Sequence, residues 1–330
     1  FTGNGSTQTV NNASQGTLGF KPDFVWIKQR DAATYSHNLY DSNRGVNKAL
    51  FSEATTTETT YTDRLLSFDT TGFGLGAGAG TNSNGSARVG WNWVAGQGVN
   101  NTNTNGSITS TVSANTTTGF SIVTYTGTGA AATIGHGLST APQFIVCKSR
   151  TTTGNWVVYH VSTGAGYAAF LDLPDAFGTT TAAWNSTAPT SSVFSVAGSA
   201  NSNPSGASIV AYCWAPVAGF SQFGSYTANA DANGPFIYTG FRPAYVMFKK
   251  TNSTSNWMIL DNTRNTYNVE NTFLLANLID AESTTVARCD FLSNGIKIRA
   301  PSGYTPNETA GDTYLYIAFA ENPFKYANAR

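Results

Sequence analysis

The chain has 330 residues with 18 basic and 18 acidic side chains, so its formal net charge is zero and charged residues make up only 11% of it. That is less than half the share usual in soluble domains, and it leaves no Lys/Arg cluster to form the basic face that a nucleic acid or an anionic membrane surface would need. The apolar runs stop at about five or six residues, against the roughly 20 that a membrane-spanning helix requires, so neither nucleic-acid binding nor membrane insertion is expected.

In chain order, the first recognisable element is Pro22-Asp-Phe-Val-Trp-Ile-Lys28. Its apolar residues do not alternate with polar ones, which predicts a strand covered on both faces. His37-Asn-Leu-Tyr-Asp41 follows, then Phe68-Asp-Thr-Thr-Gly-Phe73, and then Arg88-Val-Gly-Trp-Asn-Trp-Val94. The last alternates cleanly, with Val89, Trp91 and Trp93 on one side, and predicts a half-buried strand. Short helical turns are allowed around Val46–Leu50 and Asp63–Ser67. Gly74-Leu-Gly-Ala-Gly-Ala-Gly80 is followed by neither a helix pattern nor a lysine, so it reads as a loop rather than a phosphate cradle.

The same four landmarks return twice. Pro142-Gln-Phe-Ile-Val-Cys-Lys148, Trp156-Val-Val-Tyr-His160, Val193-Phe-Ser-Val196 and Ile209-Val-Ala-Tyr-Cys-Trp-Ala215 form the second set. Pro243-Ala-Tyr-Val-Met-Phe-Lys249, Trp257-Met-Ile-Leu-Asp261, Phe291-Leu-Ser-Asn-Gly-Ile296 and Leu315-Tyr-Ile-Ala-Phe-Ala320 form the third. A period of about 100 residues is the size of a domain rather than of a solenoid repeat. β-Branched and aromatic residues fill the runs, Gly, Asn, Asp or Pro bound them, and no sustained helical periodicity is present. The expected fold is all-β, with three tandem β-sandwich or jelly-roll-like units at residues 1–96, 107–217 and 218–330, and with 97–106 as a linker that leaves unit one free to sit apart. Ile108–Val112 is expected as an extra strand of unit two.

The second and third units carry one more strand, Gly119-Phe-Ser-Ile-Val-Thr-Tyr125 and Gly219-Phe-Ser-Gln-Phe-Gly-Ser-Tyr226. Phe1-Thr-Gly-Asn-Gly5 aligns with Tyr125-Thr-Gly-Thr-Gly129, so the sequence opens where that strand should be ending. The expectation is that unit one lacks its first strand, and that further residues precede Phe1.

These motifs carry a resemblance. Gly19-Phe-Lys-Pro-Asp-Phe-Val-Trp-Ile-Lys28 with Leu39-Tyr-Asp-Ser-Asn-Arg-Gly45 resembles a β-rich repeat of tail-fibre-like virion proteins of tailed phages, marine phages above all. Ile122-Val-Thr-Tyr-Thr-Gly-Thr-Gly129 with Gly135-His-Gly-Leu138 is similar to the second repeat of such proteins, and Ile317-Ala-Phe-Ala-Glu-Asn-Pro-Phe-Lys325 to their C-terminal finish. The resemblance implies a structural protein on the virion surface, with lectin-like sandwich modules for host adhesion or assembly. It supplies no catalytic or binding residue. A tail fibre or appendage is the first expectation, a capsid decoration or head-fibre protein the second, and a polysaccharide depolymerase the rival from another class. Implied partners are other virion proteins, identical copies in a homotrimer of elongated chains, and a host-surface glycan. The alternative to that homotrimer is a single chain whose three units imitate a trimer.

The residues point to no enzyme, no cofactor and no metal. A glycosidase needs two carboxylates in a cleft; Asp41 and Asp261 are matched, but unit two has His160 there, and Asp69 and Asp290 have no acidic counterpart in unit two. His37, His136 and His160 lack ligand spacing, and three cysteines make no disulfide framework and read as small core fillers. The strand tryptophans read as core. Trp184, in a polar Thr-rich loop, and Tyr61, in the similar loop of unit one, are the candidate binding aromatics, on the expectation that they are exposed.

Overall fold

The computed structural model describes residues 1–13 and 19–321. Strand accounts for 41% of the chain and helix for 1%, which makes the fold all-β, as the period-two and β-branched runs require. Among the described residues the single helical turn is Ala79–Asn82, at the end of the glycine-rich loop. The two places allowed a helical turn hold strands instead, Lys48–Ala49 and Leu65–Asp69. In the second of these, hairpin pairing with Gly72–Leu75 outweighs local helix propensity.

One pairing pattern recurs three times in the same register. In the first unit the lead strand Phe24–Gln29 lies between the second strand Asn38–Asp41 and the closing strand Arg88–Trp93, with Phe24 opposite both Asp41 and Trp93. In the second unit Phe144 lies opposite His160 and Trp214. In the third, Tyr245 lies opposite Asp261 and Phe319. Opening strands Phe120–Thr126 and Ser221–Thr227 pair with the free side of the closing strands of units two and three, over seven residues each.

Each main sheet is covered on its outer face by a smaller one, so each unit is two-layered. Gln8–Asn11 with the Leu65–Leu75 hairpin covers unit one, Ala132–Gly135 with Val193–Val196 covers unit two, and Phe236–Tyr238 with Cys289–Leu292 and Gly295–Ile298 covers unit three. Between the layers lie three local cores, exemplified by Val25, Ile27, Tyr40 and Phe73; by Ile145, Cys147 and Phe194; and by Val246, Phe248 and Phe291. Cys147, Cys213 and Cys289 are all free and buried there.

The inner faces of the three main sheets meet in a fourth and larger core. It joins Phe24, Trp26, Trp91 and Trp93 of unit one to Phe144, Trp156, Tyr212 and Trp214 of unit two and to Tyr245, Trp257, Ile317 and Phe319 of unit three. Trp93 lies edge-on to its matched residues Trp214 and Phe319, at ring separations of 6.1 and 5.7 Å, within the range favoured by aromatic quadrupoles. This explains the uninterrupted apolar lead strands: Phe24 and Trp26 face the central core while Val25 and Ile27 face the local one.

Polar contacts close the three units into a ring. Lys148 Nζ of unit two donates to the Thr55 carbonyl of unit one at 3.0 Å, and Lys249 of unit three donates to the Pro174 carbonyl of unit two at 2.9 Å. Lys28 of unit one completes the circuit by donating to the Ile279 carbonyl of unit three at 2.8 Å. A second circuit uses ring nitrogens. Trp156 Nε1 donates to Phe51 O and Trp257 Nε1 to Phe170 O, at 2.8 and 2.9 Å. The matched His37 stands 3.1 Å from Leu275 O through Nε2. Its Nδ1 accepts from the Trp26 indole at 2.8 Å, which fixes Nε2 as the donor. Backbone amides repeat the pattern, with Glu58 N to Arg150 O, Phe177 N to Thr251 O and Glu282 N to Arg30 O.

The elongated arrangement is therefore corrected, because the units share a core and cannot lie apart in a row. The linker is corrected too. Asp23, fully buried, accepts from the backbone amides of Ala95, Gln97 and Gly98 at 2.7–2.8 Å and from Ser42 Oγ at 2.7 Å. Asn101–Asn103 then pairs with Ser110–Asn115 as a strand. The apparent looseness of an Asn/Thr/Gly-rich stretch is overridden by backbone pairing, and by one carboxylate that satisfies three orphan amides.

Candidate functional site

Of the two loop aromatics, Trp184 is not exposed and Tyr61 is only partly so. Trp184 is 1% exposed and belongs to the local core of unit two, with Tyr159 and Phe194 rings 5.8 and 6.5 Å away. Its loop folds inward, a packing gain the loop's polar composition conceals. Tyr61 is half-buried. The Arg64 guanidinium lies 3.4 Å from its ring centroid and Phe51 meets the ring edge-on at 6.4 Å, so one face of the ring is already covered. The structure does not bring these residues together.

Three of the matched ionisable residues, Asp41, His160 and Asp261, face another unit. Asp41 forms an ion pair with Arg44 and accepts from Tyr212 Oη of unit two at 2.7 Å. Asp261 takes Arg264 Nε at 2.6 Å and the Trp91 indole of unit one at 3.0 Å. His160 Nε2 lies 3.4 Å from Tyr316 O of unit three, and burial pushes this imidazole down to about 4. Burial likewise lowers Lys28 and Lys148 to about 8 and Lys249 to about 7. Asp290 is held by Arg299 at 2.6 Å. Among the described residues no group of three His, Cys, Asp or Glu side chains could hold a metal ion.

A concave feature lies elsewhere, beside the closing strand of unit one. A cleft of about 620 Å³ is lined by Trp91, Trp93, Phe120, Tyr245 and Phe319, with Phe220 at its side. These aromatics come from all three units. Charged side chains at its rim are already engaged: Asp261 with Arg264, Glu321 with Arg242 at 2.8 Å through both oxygens, and Arg30 with Glu282 at 2.9 Å. Arg88 is spent on Gly80 O, Ala79 O, Ser83 Oγ and Ser86 Oγ, and burial lowers it to about 10. Among the described residues the cleft thus presents aromatic surface along the closing strand of unit one, with its rim charges paired. Strand position alone assigns these aromatics to the core.

No curated protein and no solved structure matches the chain. A family model, described as Domain of unknown function (DUF7483), matches residues 1–323. The chain belongs to that family.

Proposed function

We propose that this chain is a non-enzymatic structural protein of a phage virion, a tail-fibre or appendage component that presents a rigid three-sided β body for adhesion or assembly. The observation that carries the reading is the use made of the recurring polar residues. Lys28, Lys148 and Lys249 bind carbonyls of the neighbouring unit, and Asp41, His160 and Asp261 each face a neighbour's closing strand. Side chains that catalysis would leave free are spent on holding units together. The phage context comes from the motif resemblance, and the weakly charged surface suits contacts with other virion proteins.

Adhesion then falls to aromatics at the surface rather than to Trp184. Phe236 and Tyr238 are 47% and 67% exposed and, two residues apart on one strand, share a face. Flat rings on a rigid strand can stack on a host-surface sugar at little entropic cost. Immunogold labelling of purified particles with antibody to this chain tests the assignment, with label on tail appendages expected. Label on the head would support the capsid-decoration reading, and release of reducing sugar from host polysaccharide would overturn the non-enzymatic one.

A further inference from the structure

Two arginines just ahead of the outer hairpins of units one and three are matched. Arg64 precedes Leu65 and Arg288 precedes Cys289, the residues opposite Leu75 and Ile298. Each carries the same backbone bond, from Gly76 N to Arg64 O at 2.8 Å and from Arg299 N to Arg288 O at 2.9 Å. In unit one a side-chain amide satisfies the guanidinium: Arg64 Nη1 donates to Asn38 Oδ1 at 2.7 Å. Unit three has Met258 in that place, opposite Phe248 as Asn38 is opposite Ile27, and a thioether is a weak acceptor. Arg288 is only 4% exposed, with the Phe273 and Tyr304 ring centroids 4.4 and 5.4 Å from its guanidinium carbon. Its Nη1 donates to Thr305 O at 2.8 Å, but its Nε has no partner among the described residues.

The same side chains wall a cavity of about 250 Å³, with Met258, Phe273 and Leu275 as its apolar residues and Asn256, Arg288 and Glu308 as polar ones. Met258 stands opposite Leu275, and Phe273, two residues before Leu275, shares its face. Glu308 already accepts from Lys250 Nζ and Thr305 Oγ1, and from Ser255 Oγ at 3.3 Å. Asn256 Oδ1 accepts from Asn277 at 2.7 Å, which leaves its Nδ2 to donate. The polar side is therefore rich in donors and short of acceptors. Its charges balance, Arg288 and Lys250 against Glu308 and Asp312, so a neutral acceptor suits it better than an anion set against Glu308. The cavity is smaller than the roughly 300–1,000 Å³ of drug-sized pockets, and takes one compact group.

We propose that this cavity binds an acetamido group and that its ligand is an N-acetylated sugar. The ligand carbonyl accepts from Arg288 as the Asn38 amide accepts from Arg64, and the ligand methyl packs on Met258 and Leu275. The pyranose ring rests on Tyr304, which is 43% exposed. That a sugar carries the acetamido group rests on the adhesion reading above.

The chain has two methionines, so methyl-labelled methionine gives a two-signal assay. Met258 lines the cavity, and Met247, in the central core, is the internal control. N-acetylglucosamine should shift the Met258 signal saturably and leave Met247 in place. Its half-saturation should lie about tenfold or more below that of glucose, as for one hydrogen bond to a charged group. Arg288→Lys keeps the charge but loses the planar fork, and should abolish that preference. Tyr304→Ala, at an exposed position, leaves the core intact and should weaken N-acetylglucosamine by about threefold or more. No Met258 shift with N-acetylglucosamine would overturn the proposal, and so would tighter binding of glucuronate or of Nε-acetyllysine. A Met258 signal that moves without sugar when the chain is ended at Glu321 would assign the cavity to residues 322–330 instead. Absence of sugar binding with label on tail appendages rejects this pocket alone, whereas binding by a chain absent from particles rejects the virion reading alone.

Discussion

At the scale of single residues, Trp93 and Glu270 are opposite cases of burial. Trp93 touches the rings of both matched residues at the meeting point of three sheets and has no polar cost beyond its indole. Trp93→Ala should lower stability by about 3–5 kcal/mol, the range for such truncations, as read from denaturant midpoints. Glu270 is fully buried, and neither carboxylate oxygen has a partner among the described residues. Burial, aided by the nearby Asp261 carboxylate, pushes it up to about 8 from the ordinary 4.5. Between those values the folded state holds a proton that the unfolded state has released, so stability falls as pH rises from about 4.5 through about 8. Glu270→Gln should abolish that decline, leaving the variant more stable than the parent at pH 8.5 and closest to it near pH 4.5. Thermal unfolding across that range decides it, and an unchanged slope in the variant would contradict the assignment. Tryptophans on strands were legible as core because period two assigns them a face. Trp184 was not, since its burial depends on where a loop folds in three dimensions, which neighbouring Thr and Ser residues do not report.

At the scale of elements, recurrence was legible and its geometry was not. The spacing of Pro22, Pro142 and Pro243 to Lys28, Lys148 and Lys249 marked three equivalent strands, and the structure gives those strands one register. A sequence pattern cannot say that a lysine's partner is a carbonyl of another unit. That contact is now a prediction: Lys148→Met removes bonds to Thr55 O and Gly154 O and should cost about 1.5–3 kcal/mol, the range for charge-assisted hydrogen bonds. The loss should appear as faster exchange in unit one as well as in unit two. The connector after the closing strand behaves likewise. Asp23→Ala strips three amides of their acceptor and should cost about 1–3 kcal/mol, with exchange accelerated at Gln97 and Gly98. If those amides stay protected, the connector is held by something other than Asp23.

At the scale of the whole molecule, three β units close around a shared core as one body, with hydrogen-bond circuits running from unit two to one, three to two and one to three. The Asn/Thr-rich segment between units one and two read as a spacer because composition reports polarity and not pairing. The shared core was hidden because an apolar strand face looks the same whether it packs on its own unit or on two others. Small-angle scattering from the dilute chain tests the claim most directly, with forward intensity fixing the number of copies in the particle. For a single 330-residue chain packed as one body, the radius of gyration should be about 20 Å. A single chain measuring roughly 28 Å or more, the value for three 110-residue domains in a row, would contradict the shared core.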